Sequence, residues 1–269
     1  MDLSYLKTHW KNGMDQDIAA SVQAWDSVAE DYRVRGGICM EDNPFLRYVR
    51  DKVPLSKKMR VLDVGCGAGA YTMALADAVD EAVGVDFSPK MLAAAESEAA
   101  ARGISNVKFL LRDWYGCDGT EFRKQYGFVF AHTTPAIADY ETLVKMMEAS
   151  RRYCILCKPA RRTDQVFDTL RKIAGLGDAG HDDSVAYAFD TIWGHGYNPE
   201  VTYQTTVWQS EKPLADAETW FLGRLKGSCD LSPEKERQIR SYLTEISRDG
   251  KVAEITHTTL VTMFWEVGQ

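Results

Sequence analysis

Asp63, Asp86 and Asp113 each stand in or just after a short apolar run, and the first is trailed by Gly65, Gly67 and Gly69 in the stretch VLDVGCGAGAYT, residues 61–72. Glycines at this spacing let the chain turn tightly and leave its N–H groups bare, and a turn that opens a helix favours a polar or anionic ligand. Read as G-x-G-x-x-G/A, residues Gly65, Gly67 and Ala70 match a dinucleotide turn, with Asp86 placed to hold ribose hydroxyls. A dinucleotide, however, has no standard need for a carboxylate inside the strand leading to the turn. A ligand with a free amino group does, and Asp63 occupies that position.

Positioning these groups requires strands that end together. Apolar runs at 60–64, 82–85, 107–111, 128–131 and 153–157 alternate with helical patterns near 71–79, 89–102, 140–150 and 164–174. Such alternation predicts a parallel sheet with crossover helices, an α/β doubly wound, Rossmann-like architecture of about seven strands. Ser88 and Pro89 form an N-cap and first helical residue, and Gly103 can end the same helix. Beyond Gly175 the chain is rich in glycine and aromatics, which suits a cap or lid. A strand at 202–208, helices near 215–226 and 233–248, and a closing apolar stretch at 252–267 with room for one or two strands follow. That final stretch is expected to close the sheet edge.

Composition limits the partners. The 269 residues are 45% hydrophobic and 11% aromatic, enough for a large core. With 32 basic and 39 acidic residues the net charge is −7, which argues against a nucleic-acid backbone or an anionic membrane as main partner. No window approaches a membrane span, the first residues lack a signal-peptide core, and the six cysteines are scattered through apparent core elements. A cytoplasmic protein with reduced thiols is expected.

The stretches VLDVGCGAGAYTMALA, AVGVDFSPKML and NVKFLLRDWYG resemble, in order and spacing, the three cofactor motifs of class I S-adenosylmethionine-dependent methyltransferases. The likeness is nearest to the ubiquinone/menaquinone-biosynthesis-type small-molecule group and covers roughly residues 20–160; WDSVAEDYRVR resembles that group's N-terminal helix, which closes over the cofactor. The resemblance implies that S-adenosylmethionine is the cofactor and S-adenosylhomocysteine the product. It places Asp63 with Gly65, Gly67 and Gly69 at the methionine moiety, Asp86 at the ribose, Phe87 and Met91 on the adenine faces, and Asp113 with the Trp114 amide at the adenine edge; Cys66 and Ala131 complete the set. Three parts are expected: a helical N-terminal cap over the cofactor at 1–50, the cofactor-binding core over 51–175, and a lid insertion, helices and closing strands of the same sheet over 176–269. The chain departs from the group at Gly127, where an acidic residue is usual, and in HTTPAI, which matches no particular substrate.

Other residues admit two readings each. The glycine turn could serve only strand-to-helix packing. Cys66 could be an activated thiol or a small residue filling the turn. Cys154 and Cys157 form C-x-x-C, yet positions three apart in a strand point to opposite faces, as core residues would. His181, Asp182, Asp183 and His195 read as a polar loop rather than a metal site, and no metal is expected. Tyr187, Phe189, Trp193 and Tyr197 could line a substrate pocket or fill a cap core.

A sulfonium methyl is already activated, so the protein must mainly orient an acceptor, exclude water and manage one proton. His132, at the end of the fourth strand, is the candidate base, against a role in shaping the loop before Pro135 or contacting the cofactor through its backbone; Tyr32 and Thr134 are substitutes. Lys158, Arg161 and Arg162, expected just beyond the fifth strand, could pair with an anionic acceptor or form a solvated helix start; Lys57, Lys58, Arg60, Arg151 and Arg152 are expected as solvated surface at the other end. The leading function is small-molecule methyl transfer. A transferase of another group from a related sulfonium, a non-catalytic cofactor-binding subunit and a nicotinamide dehydrogenase, disfavoured by Asp63, are the alternatives.

Overall fold

The computed structural model describes residues 2–11, 18–34, 37–177, 183–226 and 229–268. Four helices come first, α1 (Leu3–His9), α2 (Ile18–Ser27), α3 (Ala29–Val34) and α4 (Pro44–Lys52). An alternating series follows: β1 (Arg60–Val64), α5 (Ala70–Ala76), β2 (Glu81–Asp86), α6 (Pro89–Ala101), β3 (Val107–Leu111), β4 (Tyr126–His132), α7 (Tyr140–Ala149), β5 (Ser150–Asp164), α8 (Gln165–Ala174). The rest is α9 (Ser184–Gly194), β6 (Glu200–Pro213), α10 (Leu214–Lys226), α11 (Pro233–Ile246) and β7 (Lys251–Glu266).

Local chemistry explains the boundaries. Asn43, Ser88, Asp139, Asp164 and Ser232 cap α4, α6, α7, α8 and α11, each accepting a backbone N–H from the first turn, and Pro44, Pro89 and Pro233 pre-set the helical φ. Gly175 ends α8 at φ +79°.

The strands form one sheet in the order β3-β2-β1-β4-β5-β7-β6, with β1 parallel to β2 and β4, β2 parallel to β3, and β4 parallel to β5. This is the Rossmann-like sheet expected, with one correction. The last stretch does not close the edge: β7 lies between β5 and β6, and β6 is the edge strand. Burial gives the reason. Val261, Met263 and Trp265 on β7 are at most 3% exposed, as an interior strand requires, whereas Tyr203 and Val207 on β6 are 70% and 45% exposed.

Contacts divide the chain into two compact units. One comprises Met1–Lys158, Ser184–Thr202 and Thr262–Gln269, and its centre is made by Leu62, Val83, Phe128, Phe130 and Ile155, none more than 1% exposed. Each such side chain contributes about 1.5 to 3 kcal/mol on burial. The other comprises Pro159–Asp183 and Tyr203–Val261, with its own core of Leu170, Phe221, Leu225, Ile239 and Leu243.

β5 is longer than the apolar run suggested. In the second unit Thr258 Oγ1 donates to the Ala160 carbonyl at 3.1 Å and Thr256 Oγ1 to Asp164 at 2.7 Å, holding the chain extended through Asp164. Arg161 and Arg162 therefore lie inside a strand, not in a loop beyond it.

Candidate functional site

β1, β2 and β4 run parallel, so their carboxyl ends collect on one side of the first unit. β1 continues into the glycine turn, fastened to β2 by Gly65 and Cys66 N–H donating to the Val85 carbonyl at 2.8 and 3.0 Å. Gly65, Gly67 and Gly69 all have positive φ, of +71°, +53° and +75°. Their missing side chains serve different ends. A Cβ at Gly65 would stand 2.0 Å from Thr134 Oγ1, and one at Gly69 2.7 Å from the Phe109 ring, so both glycines permit packing. A Cβ at Gly67 would meet only Met91 Sδ at 3.9 Å and otherwise project into an open cleft.

Two of the aspartates frame that cleft. Asp63 is 3% exposed, accepts a hydrogen bond from Thr72 Oγ1 at 2.7 Å, and burial pushes its carboxyl up to about 7. Asp86 accepts Gly67 N–H at 2.8 Å and Ser88 N–H at 2.9 Å; burial raises its pKa, opposed by these backbone donors. Asp113 lines the neighbouring lobe with Trp114 and Arg112, but its oxygens accept the Tyr115 and Gly116 N–H groups at 3.0 and 2.9 Å, shaping its own loop. Lys145 ties that loop down by donating to the Trp114 carbonyl at 2.6 Å, and Trp114 Nε1 donates to Thr142 O at 3.1 Å.

Helices α2 and α3 supply the other wall. Trp25 lines both lobes, Ser21 one and Tyr32 the other, and Ala29 packs with Ala68 and Met91. Asp26 fastens α2 to the start of α6, accepting from Ser88 Oγ at 2.5 Å and Lys90 N at 3.2 Å. Phe87, Met91 and Cys66 also line the cleft. The Cys66 thiol is raised by burial and by the carboxylates of Asp63 and Asp86, the reverse of an activated nucleophile.

His132 closes the far side. Its ring centroid lies 4.3 Å from those of Phe45 and Tyr71, its Nδ1 is 3.2 Å from Thr133 Oγ1, and burial lowers its pKa to about 4. The adjoining Thr133 has φ +50°, an unusual conformation for a threonine, which turns the chain toward Thr134 and Pro135 at the cleft. Sequence reading missed Trp25 and Tyr71 as lining groups. Tyr71 follows the glycine turn directly in α5, and that position was its only signal.

Other expected site residues fall elsewhere. Ala131 is wholly buried in β4, and Gly69 is filled by neighbours rather than by the cleft. Trp193 is 57% exposed and stacks on Phe189 in α9. In the second unit, Arg161 and Arg162 are exposed on β5, and Arg162 lies over the Trp208 ring at 5.1 Å. Lys158 Nζ donates to the Ile137 carbonyl at 2.8 Å, a structural bond in place of the expected loop cation. Arg60, expected as plain surface, pairs with Glu81 at 2.7 Å and covers the Tyr126 ring. Cys154 and Cys157 are buried, with thiols pushed up to about 12 and 11 by burial. His181 and Asp182 lie outside the described residues, and His195 accepts from or donates to Tyr140 Oη at 3.1 Å. Among the described residues no group of three or more histidine, cysteine or acidic side chains is placed to hold a metal, and no helix is long and apolar enough to cross a membrane.

Comparison with known proteins finds similarity to methyltransferases. Residues 55–172 match the model of a methyltransferase domain. Demethylmenaquinone methyltransferase of Geobacillus kaustophilus is 42% identical over 65 residues, 23% of this chain and 28% of that enzyme. A 23S rRNA uracil-C(5) methyltransferase of Aeromonas salmonicida is 43% identical over 61 residues, 23% of this chain and 14% of that one. The chain thus aligns with well under half the length of these relatives. Among solved structures, phosphoethanolamine N-methyltransferase 2 of Haemonchus contortus, in complex with S-adenosyl-L-methionine, has a TM-score of 0.52 at 14% identity, covering 96% of this chain and 61% of that one. YcgJ of Bacillus subtilis gives 0.50 at 16% identity, covering 81% and 96%. Residues 55–172 of this chain thus match a methyltransferase-domain model and contain strands β1 to β5 of the Rossmann-like sheet.

Proposed function

We propose that this chain transfers a methyl group from S-adenosylmethionine to a small-molecule acceptor and releases S-adenosylhomocysteine. The observation that carries the reading is Asp63, a carboxyl that burial holds near 7, below a turn whose Gly67 opens into the cleft. A buried carboxyl in that state gains from a cationic neighbour, and the cofactor's amino group is one. The donor set fits. Asp63 and the Gly65–Gly67 backbone would hold the methionine end, Asp86 the ribose, Phe87 and Met91 the adenine faces, and Asp113 with Trp114 the adenine edge.

When bound, the cofactor supplies a methyl group already activated by its sulfonium. The chain has to orient the acceptor, keep water out and take up a proton. Trp25, Tyr32, Tyr71 and Pro135 give the cleft aromatic and apolar walls suited to excluding water. A base role for His132 assigns its Nδ1–H to Thr133 Oγ1 and leaves the Nε2 lone pair to accept the proton; neutral imidazole is the form burial favours. Tyr32 is the alternative acceptor of that proton. The −7 net charge supports a small molecule over an RNA. All six cysteines are free, in keeping with a reducing, cytoplasmic setting.

Isothermal titration against S-adenosylmethionine, its decarboxylated analogue, S-adenosylhomocysteine and NAD tests the cofactor. S-adenosylhomocysteine should bind and NAD should not. A turnover assay with candidate acceptors then separates an enzyme from a binding subunit.

A further inference from the structure

The edge strand β6 lacks the features that usually keep an edge solitary. From 201 to 210 it reads VTYQTTVWQS, ten residues without a charge, proline or glycine, and its one proline, Pro213, is the last residue of the strand. Edge strands present unpaired N–H and C=O groups and are normally blunted by lysine, proline or bulges. Among the described residues, no backbone hydrogen bond outside the sheet's own ladders reaches 201–212. Its β-branched and aromatic side chains favour pairing, and Tyr203 and Val207 stand 70% and 45% exposed.

We propose that β6 pairs antiparallel with β6 of a second copy of this chain, about a two-fold axis at Thr206. A two-fold operation makes such a pairing self-complementary and closed at two copies. In this register Thr205 faces Val207 of the second copy, Tyr203 faces Gln209, and Glu200 faces Lys212, each pair occurring twice. The charges select it. Glu200 and Lys212 are the opposite charges nearest the two ends of the strand, and a slip of two residues sets Glu200 against Ser210 or leaves it beyond the strand, losing the pair. A slip of one residue is excluded, because it would set side chains of opposite faces against each other across the axis. Glu200 already accepts from Lys52 at 2.6 Å, so Lys212 of the second copy would complete a charge network rather than meet a bare carboxylate.

Sedimentation velocity and light scattering on the full chain at tens of micromolar test this. Wild type should run at twice the chain mass. Thr205→Lys/Val207→Lys sets lysine against lysine twice and should raise the dimer dissociation constant roughly tenfold or more, as should Thr205→Asp/Val207→Asp. Mixing the two variants in equal amounts should restore a dimer. A register-specific check avoids the charges: Thr206→Cys, opposite itself across the axis, should form an intermolecular disulfide on mild oxidation beyond the wild-type background. A monomeric wild type, a dimer that persists in both charged variants, or charged variants that dissociate but do not recombine would overturn the pairing, as would Thr206→Cys that folds and fails to cross-link.

Discussion

Asp86 Oδ2 accepts the Gly67 N–H at 2.8 Å, while its Oδ1 accepts the Ser88 N–H at 2.9 Å, so the acid at the end of β2 is fixed against the glycine turn at the end of β1. Two backbone donors orient this carboxylate before any ligand arrives, which keeps the ordering cost of binding low. Asp86→Ala should weaken S-adenosylhomocysteine binding by about 1.5 to 3 kcal/mol, roughly ten- to a hundred-fold by titration calorimetry. Wild-type affinity in the folded variant would remove Asp86 from the ligand.

The three glycines should separate under substitution. Gly65→Ala drives a Cβ to 2.0 Å from Thr134 Oγ1 and should lower stability by about 2 to 4 kcal/mol, read as a fall in the thermal midpoint. Gly67→Ala meets no close atom and should lose only about 1 kcal/mol from its left-handed φ. Gly67→Val, filling the cleft, should abolish cofactor binding while the protein stays folded. Equal binding by Gly67→Val and wild type would mean that the cleft is not where the ligand sits.

Asp63 should make the ligand-free protein less stable as pH rises. Its folded pKa, about 7, lies above the ordinary carboxylate value, so the stability it contributes is complete below about pH 4 and is lost as pH climbs through 7. Between pH 5 and 8 the ligand-free melting temperature should fall more in wild type than in Asp63→Asn. Cofactor affinity should move the other way, strengthening over pH 6 to 8 as the carboxylate forms, and Asp63→Asn should flatten that profile. Parallel pH profiles in the two proteins would refute the assignment.

The parts of this site that were legible are those written locally. Asp63, Gly67 and Asp86 stand out because a buried strand, a turn and a capped helix all declare themselves within a few residues, and Ser88 with Pro89 marks the helix start. What Gly65 and Gly69 are for was not legible, because the atoms that need their missing side chains, Thr134 and Phe109, lie far along the chain. Trp25 becomes a wall only through tertiary packing of α2. The lengths of β5 and β6 and the insertion of β7 between them were missed for the same reason: periodicity says that a segment is extended, while its neighbour is chosen by burial across the sheet.

Asp26 joins the wall to the core. Its Oδ1 accepts from both Ser88 Oγ and the Lys90 N–H, so one carboxylate oxygen holds α2 against the first turn of α6. Asp26→Ala should release that tether and weaken S-adenosylhomocysteine binding about 3- to 30-fold, with faster hydrogen exchange over 18–34 in the ligand-bound protein. Unchanged exchange there, with weaker binding, would mean that Asp26 acts through the charge of nearby Asp86 instead.

His132 offers the sharpest test of mechanism, because burial lowers its pKa to about 4 and leaves it neutral across the physiological range. If the imidazole takes the acceptor's proton, turnover should show no His132 limb near pH 6.5 and should decline only as pH approaches 4. His132→Ala or His132→Gln should then lower kcat by about 100- to 10,000-fold while cofactor affinity stays near wild type. The ring is also wedged at 4.3 Å from both Phe45 and Tyr71, so its removal leaves a cavity beside the strained Thr133. A residue that only shapes this loop predicts a different outcome, with cofactor affinity and thermal midpoint falling together with activity. His132→Phe distinguishes the two, since it refills the aromatic cluster without a basic nitrogen. Near-wild-type stability and cofactor binding with lost turnover would identify the base, whereas full turnover in folded His132→Phe would transfer the proton to Tyr32 or to an acceptor that needs no deprotonation.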